Sequence, residues 1–161
     1  MSNDTVPKTH LFDTLKVRAG YDPKEHHYAV SPPIYQTTAY EFRDVENAKG
    51  LFSFQEAGYL YTRIGNPTVT VLEERVRILD GAAAAIGVGS GMAAISNTFI
   101  TLARQGSNIV TSRHLFGNSY SFLVNTLAAF GVEIRFCDLT DPRDVAAHLD
   151  ENSCALFVEI I

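Results

Sequence analysis

The spacing of apolar residues divides the chain into two parts. Up to residue 60, glycine and proline interrupt the sequence often, which favours loops and extended segments. One helix is predicted there, at about 44–56, because Val45, Ala48 and Phe52 recur every three or four residues. From residue 66 onward the apolar runs are regular and separated by capping and breaking residues. The second part therefore predicts ordered helices and strands.

Helices and strands alternate in this second part. Asn66 and Pro67 predict the start of a helix that Gly81 ends. Further helices are predicted at 92–104, 119–130 and 141–149. Short apolar runs predict strands at 83–88, 108–112, 132–137 and 154–161. This alternation predicts an α/β fold with a largely parallel sheet and flanking helices, its strands covered on both faces.

We predict an N-terminal arm over 1–60 and the first part of a larger α/β domain over 61–161. The arm could lie against another subunit or wrap the surface of its own domain, and the pattern favours neither. The final apolar run, 154–161, has no polar tail after it, so we expect this domain to be truncated at its C-terminal end.

Composition narrows the class of protein. Of the 161 residues, 46% are hydrophobic and 19% are charged, which argues against wholesale disorder. The net charge of −5 argues against nucleic-acid binding. The sequence contains neither a secretory signal core nor a membrane-spanning run, so no membrane partner is predicted. Cys137 and Cys154 lie in apolar surroundings typical of buried free thiols, and we expect a cytoplasmic protein.

A glycine-rich turn is the first candidate for chemistry. Gly89-Ser-Gly91 stands between a predicted strand and a helix, where backbone N–H groups can bind an anion. The spacing Gly89-x-Gly91-x-x-Ala94 also fits a dinucleotide fingerprint, with Arg113 available for a 2′-phosphate. A turn that only tightens helix packing is the third interpretation.

Two other groups could contact a ligand. Tyr61 and Arg63 precede the helix at Asn66 and could bind phosphate or carboxylate, or could be an ordinary surface pair. Phe116 follows a strand at its carboxyl end and could stack on a flat ring, or could belong to the core. Residues 26 and 27 are both histidine, and no other metal-binding residue stands at ligand spacing from them. We therefore predict that both side chains are exposed to solvent and form no metal site.

Taken together, these motifs resemble the cysteine/methionine-metabolism family of pyridoxal-phosphate (PLP) enzymes. The resemblance covers the chain from about Phe12 to its last residue and is strongest for the O-acetylhomoserine sulfhydrylase branch. The matching segments are Pro33-Ile-Tyr-Gln-Thr-Thr38, Tyr61-Thr-Arg63-Ile-Gly-Asn-Pro-Thr68, Leu72-Glu-x-Arg75 and Ser90-Gly-Met-Ala-Ala94. It implies the N-terminal portion of the aspartate-aminotransferase-like fold, fold type I.

The resemblance also implies roles for individual residues. Ser90, Gly91 and Met92 would bind the cofactor phosphate, and Phe116 would stack over the pyridine ring. Tyr61 and Arg63 would reach the phosphate of a neighbouring subunit in a dimer or a dimer of dimers. Relatives often carry a tyrosine in place of Phe116, so a proton-transferring hydroxyl is missing here.

The implied reaction is replacement of the acetate of O-acetylhomoserine by sulfide or a thiol, giving homocysteine or methionine. The family's Schiff-base lysine has no counterpart, because the chain's lysines all lie within its first fifty residues. We therefore expect no catalytic residue in this chain and no turnover by it alone. Cystathionine γ-synthase or methionine γ-lyase activity is an alternative within the family. An NADP-binding domain and a non-catalytic interaction fragment are alternatives of other classes.

Overall fold

The computed structural model describes residues 11–160, which form two compact units that divide between Gly87 and Val88. This division lies downstream of the change in composition at residue 60. The intersubunit role of the arm remains a prediction. Within residues 11–160, no helix combines the length and apolar character needed to cross a bilayer.

The first unit contains three α-helices and a short 3₁₀ turn at Pro23–His26. The helices are α1 (Phe12–Arg18), α2 (Val45–Phe52) and α3 (Pro67–Asp80). The sequence predicted α2 and α3 but not α1, since α1 has only seven residues and buries none of them. A segment this short owes its helicity to tertiary packing rather than to its own pattern.

Helix α3 organises this unit because α1 packs against it. The Arg75 Nε–H of α3 donates a hydrogen bond of 2.9 Å to the carbonyl of Ala19, which follows α1. Gly20 has a φ of +73°, and an added Cβ would lie 2.8 Å from the backbone of α3. Glycine is therefore required at Gly20 both by the left-handed backbone and by the close approach of α3.

The second unit is a three-stranded parallel sheet with helices. Its elements are α4 (Gly91–Leu102), β1 (Asn108–Thr111), α5 (Gly117–Ser121), β2 (Glu133–Phe136), α6 (Pro142–His148) and β3 (Ser153–Phe157). The strand order is β2-β1-β3, and both pairs are parallel, with Ile109 opposite Ile134 and Ala155. This confirms the predicted α/β class and the parallel sheet.

The central strand β1 is buried along its whole length. Its Ile109 joins a core with Phe99 of α4 and with Leu123 and Leu127, which follow α5. Phe99 also meets Phe157 of β3 edge to face, with ring centroids 5.1 Å apart. The edge strands are less covered than predicted, because sheet edges and outer faces need further elements to bury them.

Two local predictions were wrong, and a third was right in position but not in helix type. The segment 83–88 forms no strand and leaves Ile86 84% exposed, because it has no ladder partner among residues 11–160. The predicted helix at 119–130 is confirmed in position and ends before Gly131, but it is α-helical only to Ser121, then π-helical over Phe122–Leu127 and 3₁₀ over Ala128–Phe130. An apolar pattern cannot distinguish these hydrogen-bonding schemes here, since each extends over too few residues for its periodicity to be seen.

The second wrong prediction concerns the histidine pair, of which only His27 is exposed. His26 is half-buried and stacks on Tyr21, with ring centroids 5.2 Å apart. Its Nδ1 forms a hydrogen bond of 2.9 Å with the Tyr35 hydroxyl. Both tyrosines are near His26 in sequence, Tyr35 being nine residues away, but the segment between them has no regular periodicity that could indicate the aromatic cluster.

Candidate functional site

The glycine-rich turn opens α4 as the sequence predicts. Ser90 is the N-cap: its Oγ accepts a hydrogen bond of 3.0 Å from the Ala93 N–H. Its carbonyl accepts a second, of 3.1 Å, from the Ala94 N–H. Within residues 11–160, the N–H groups of Gly91 and Met92 donate to no acceptor. Two backbone donors at the positive end of a helix dipole are thus free to bind an anion.

The turn also has room for a ligand. A Cβ added at Gly89 or Gly91 would meet nothing within 4 Å, and neither glycine has a positive φ. These glycines are therefore required neither by internal packing nor by backbone conformation. Open space beside unpaired N–H groups is what a phosphate needs to approach the backbone closely.

The Tyr61–Thr68 motif lies beside the Pro33–Thr38 motif. Tyr61 forms an isolated antiparallel bridge with Ala39. On either side of it, the Thr62 N–H donates to the Thr38 carbonyl at 2.8 Å, and the Tyr40 N–H donates to the Leu60 carbonyl at 3.2 Å. The two sequence motifs that carry the family resemblance thus pair with each other in one local structure.

Two side chains at the start of α3 fasten this pairing. The buried Asn66 donates from Nδ2 to the Tyr35 carbonyl at 2.9 Å and to Thr62 Oγ1 at 3.1 Å, while its Oδ1 caps the Thr68 N–H at 2.9 Å. Thr68 Oγ1 donates to the Pro33 carbonyl at 3.0 Å and accepts from the Tyr35 N–H at 2.9 Å. Asn66 and Thr68 therefore hold the backbone that carries Tyr61 and Arg63.

Tyr61 and Arg63 themselves remain accessible. The Arg63 guanidinium lies 5.5 Å from the centroid of the Tyr61 ring, and Tyr61 is 37% exposed. None of the salt bridges among residues 11–160 involves Arg63. The pair thus presents a positive charge and a hydroxyl at the surface of the first unit, suited to an anionic group.

Phe116 precedes α5 and is 61% exposed, which is unusual for a phenylalanine and leaves its ring open to a partner. The Phe116 N–H donates a hydrogen bond of 2.6 Å to Oε2 of Glu159. Sequence reasoning did not identify Glu159. The available signal was a carboxylate within an apolar run at the carboxyl end of a strand, where ligands bind in open α/β sheets.

An open cleft of about 610 Å³ lies at the carboxyl ends of the three strands. Arg113 and Phe136 line it: the Arg113 guanidinium lies 4.5 Å from the Phe136 ring centroid, and the Phe136 ring stacks with that of Tyr120, with centroids 5.6 Å apart. Arg113, the residue considered for a 2′-phosphate, thus covers an aromatic ring in the second unit.

A cluster beside this cleft was not predicted. Ligand atoms of Cys137, Asp144 and His148 lie within 4.8 Å of one another. Asp144 Oδ2 accepts a 2.7 Å hydrogen bond from the Asp138 N–H, and His148 Nδ1 lies 2.8 Å from the Asp144 carbonyl oxygen. Burial, followed by the charges of Asp144 and Asp138, raises the pKa of the Cys137 thiol. These contacts join the turn after β2 to α6.

The fold defines the chain's class: it is that of the fold type I PLP-dependent enzymes. Superposition on a Campylobacter jejuni crystal structure named O-acetylhomoserine (thiol)-lyase gives a TM-score of 0.87 at 35% identity, covering 93% of this chain and 37% of that one. That structure contains N′-pyridoxyl-lysine-5′-monophosphate.

Sequence comparison identifies the family. The model for "Cys/Met metabolism PLP-dependent enzyme" matches residues 13–161, and the chain belongs to this family. Homocysteine synthase of Schizosaccharomyces pombe is 42% identical over 150 residues, which are 93% of this chain and 35% of that protein. L-methionine gamma-lyase of Pseudomonas putida is 36% identical over 148 residues, 92% of this chain and 37% of that protein. The chain thus spans about a third of the length of these relatives.

PLP is the cofactor of this family, and the residues at the site fit it. The free N–H groups of Gly91 and Met92 suit its phosphate, and the exposed ring of Phe116 suits its pyridine ring. The nicotinamide hypothesis gains no support from these comparisons.

Proposed function

We propose that the complete protein catalyses PLP-dependent γ-replacement on O-acetylhomoserine, with sulfide or a thiol, to give homocysteine or methionine. The observation that carries the proposal is the start of α4, where Gly91 and Met92 offer two unpaired N–H groups in open space. Family membership and the name of the homocysteine synthase relative support the substrate class. When bound, PLP supplies the electron sink that lets the γ-substituent leave.

In this proposal the chain's own residues bind and orient. Ser90 sets the direction of the helix start, so that the N–H groups of Gly91 and Met92 meet the phosphate. Phe116 covers one face of the pyridine ring. It has no hydroxyl, so it excludes water from that face without moving a proton.

We further propose that Tyr61 and Arg63 complete the site of a neighbouring subunit in a homodimer or dimer of dimers. Their support is the exposed pair on a backbone that Asn66 fastens. In such an arrangement residues of two chains form each site, and each chain contributes residues to two sites. A cytoplasmic location is also proposed, because the two cysteines, Cys137 and Cys154, are free thiols.

Residues 1–161 alone are proposed not to turn over substrate. No lysine stands at the position of the family's Schiff-base lysine, and none follows Lys49. Lys16 and Lys49 are exposed and pair with Asp13 and Glu46 within their own helices, so neither has the desolvated setting that activates a lysine. An absorbance band that survives gel filtration and is bleached by borohydride would contradict this part.

A chimaera tests the reaction. Residues 11–160 replace the matching segment of the Schizosaccharomyces pombe homocysteine synthase, and homocysteine is measured with O-acetylhomoserine and sulfide. We expect product formation that Arg63→Ala abolishes, whereas Arg143→Ala, at an exposed arginine on α6, leaves it unchanged. A chimaera that folds and binds PLP but forms no homocysteine would oppose the proposed reaction.

The name of the Pseudomonas putida relative favours a second candidate, γ-elimination from methionine. The two activities differ in product: replacement gives a new thioether or thiol, while elimination gives a 2-oxo acid, ammonia and the released thiol. Supplying the chimaera with methionine alone and assaying the 2-oxo acid distinguishes them. Formation of 2-oxo acid from methionine, without homocysteine from O-acetylhomoserine, would favour the lyase.

Mixing variants tests the shared site. In the chimaera, Arg63→Ala removes the group donated to the neighbour, and Gly91→Glu blocks the chain's own phosphate turn with a carboxylate. Each variant alone is expected to be inactive. After unfolding and refolding together, statistical pairing restores up to about one quarter of the unmodified activity, because one site in each mixed dimer carries neither change. No recovery from mixed dimers would place Tyr61 and Arg63 in their own subunit's site.

A further inference from the structure

Glu159 lies just after β3 and binds the start of α5. Its Oε2 accepts the Phe116 N–H at 2.6 Å, and its Oε1 accepts the Ser119 hydroxyl at 2.5 Å. The residues joined are forty or more positions apart in the chain. Ser119 is 2% exposed and Glu159 is half-buried, so water competes weakly for the bond between their side chains, whereas the bond from Phe116 is exposed.

Helix α5 needs this carboxylate because it has no side-chain cap of its own. Phe116 occupies the N-cap position, and a phenyl ring cannot accept a hydrogen bond from the helix N–H groups. Glu159 supplies both an acceptor and a negative charge at the positive end of α5. Charge-assisted bonds of this length are stronger than those between neutral groups.

The same bonds fix Phe116. Its ring is 61% exposed, so packing with neighbours holds it less firmly than it would hold a core ring. The backbone then decides where the ring stands, and Glu159 holds that backbone directly. Both carboxylate oxygens accept a bond from this segment, so the carboxylate is directed at the start of α5.

We propose that Glu159 is a positioning residue that presents the Phe116 ring to the cofactor's pyridine ring. This inference rests on the proposed function, since it assumes that Phe116 stacks on PLP. Glu159 acts through Phe116 and touches neither substrate nor cofactor. Its removal should weaken ring stacking while leaving the phosphate turn at Ser90–Met92 intact.

Binding of pyridoxamine 5′-phosphate to the full chain tests this coupling. This probe has the ring and phosphate of PLP but no aldehyde, so it cannot react with the chain's lysines. We expect Glu159→Ala and Phe116→Ala each to weaken binding about tenfold, and the double variant to weaken it no further. Inorganic phosphate, measured by its competition with the probe, should bind all variants equally. Glu151→Gln, at an exposed glutamate before β3, controls for the change in charge.

The conservative variant separates positioning from folding. Glu159→Gln keeps an oxygen for the Phe116 N–H and an amide that can donate to the Ser119 hydroxyl, so we expect it to recover most of the binding. Additive losses in the double variant, or equal losses for the probe and for phosphate, would overturn the proposal. Binding of neither the probe nor phosphate by the unmodified chain would count against the proposed function.

Amide hydrogen exchange tests the positioning without any cofactor. In the unmodified chain the Phe116 N–H is expected to exchange at least tenfold more slowly than in Glu159→Ala, with Glu159→Gln between them. The Val110 amide in β1 serves as the internal reference for global unfolding. Equal exchange of the Phe116 N–H in all three proteins would refute the positioning role whatever the probe binds.

Discussion

Asn66 offers the sharpest prediction about the first unit. The residue is 4% exposed and uses its amide three times: two donated bonds, to Tyr35 and Thr62, and one accepted from the Thr68 N–H. Asn66→Ala removes all three and leaves the Tyr35 carbonyl with one partner fewer. The cap contributes about 1 kcal/mol, and each donated bond about 1 kcal/mol. We therefore expect a loss of about 3 kcal/mol.

Two further substitutions separate the contribution of the helix cap from that of the hydrogen bond to the Tyr35 carbonyl. Asn66→Ser retains a capping oxygen but cannot reach Tyr35, so it should cost about 2 kcal/mol. Asn66→Asp also retains the cap but turns an acceptor toward the Tyr35 carbonyl, so it should cost at least as much as serine. Gln55→Ala is the matched control, since that amide is exposed and lies in the same unit as Asn66, and it should change stability by less than about 0.5 kcal/mol.

Tyrosine fluorescence during urea unfolding measures these losses in the correct unit. The chain has no tryptophan, and every tyrosine except Tyr120 precedes Gly87. The emission therefore reports almost entirely on the first unit, even where the two units unfold separately. An Asn66→Ala loss as small as that of Gln55→Ala would refute the stabilising role of the Asn66 amide, and an Asn66→Asp protein as stable as the unmodified chain would refute the hydrogen bond to the Tyr35 carbonyl.

Three more predictions concern glycine, capping and acid sensitivity. Gly20→Ala should cost roughly 1–3 kcal/mol more in urea unfolding than Gly81→Ala, because both have positive φ but only Gly20 faces α3 at 2.8 Å. Ser90→Ala should lower the free energy of unfolding of the second unit, followed by circular dichroism, by about 1 kcal/mol. Ser90→Thr keeps a capping hydroxyl and should retain most of that stability. Hydrogen bonding, chiefly from Arg135, lowers the pKa of Asp150 to about 2. Because its folded pKa lies below the unfolded value of about 3.9, this stabilisation is complete at neutral pH and is lost as pH falls toward 2. Asp150→Asn should therefore flatten the fall in urea midpoint between about pH 4 and 2, whereas an unchanged slope would refute the pairing with Arg135.

The parts of the fold that were predictable are those encoded by neighbouring residues. Asn66-Pro67 and Gly81 bound α3 because capping and chain reversal are local events, and the structure places both ends there. The parallel sheet followed from the alternation of apolar strands with helices. Segment 83–88 has the composition of a buried strand but lacks a partner within residues 11–160, and no local pattern encodes the presence of a partner.

The candidate cofactor site was likewise predictable only where neighbouring residues encode it. Phe116 and the turn at Ser90 stand at element boundaries, where local spacing indicates ligand binding. Glu159 contacts the start of α5 from forty or more residues further along the chain, a contact that arises only after the strands have paired. His26 contacts Tyr35, nine residues away, across an irregular segment in which no periodicity indicates the contact. Sequence reasoning could therefore identify ligand-facing positions but not the groups that hold them.

The starts of α3 and α4 show why one sequence signal can serve two purposes. Both helices begin with a polar cap, yet the first position of α3 is Pro67, which has no N–H, and the Thr68 N–H is taken by Asn66. The first two positions of α3 therefore offer no free backbone N–H to an anion. Its cap, Asn66, is buried and holds the neighbouring chain segments by hydrogen bonds. Helix α4 begins with Gly91 and Met92, whose N–H groups remain free beside an exposed cap. The difference between a structural cap and a phosphate-binding turn thus lies in the first two residues after the cap. Replacing Gly91 by proline, which suits a first helical position, should preserve α4 while removing one donor and weakening phosphate binding.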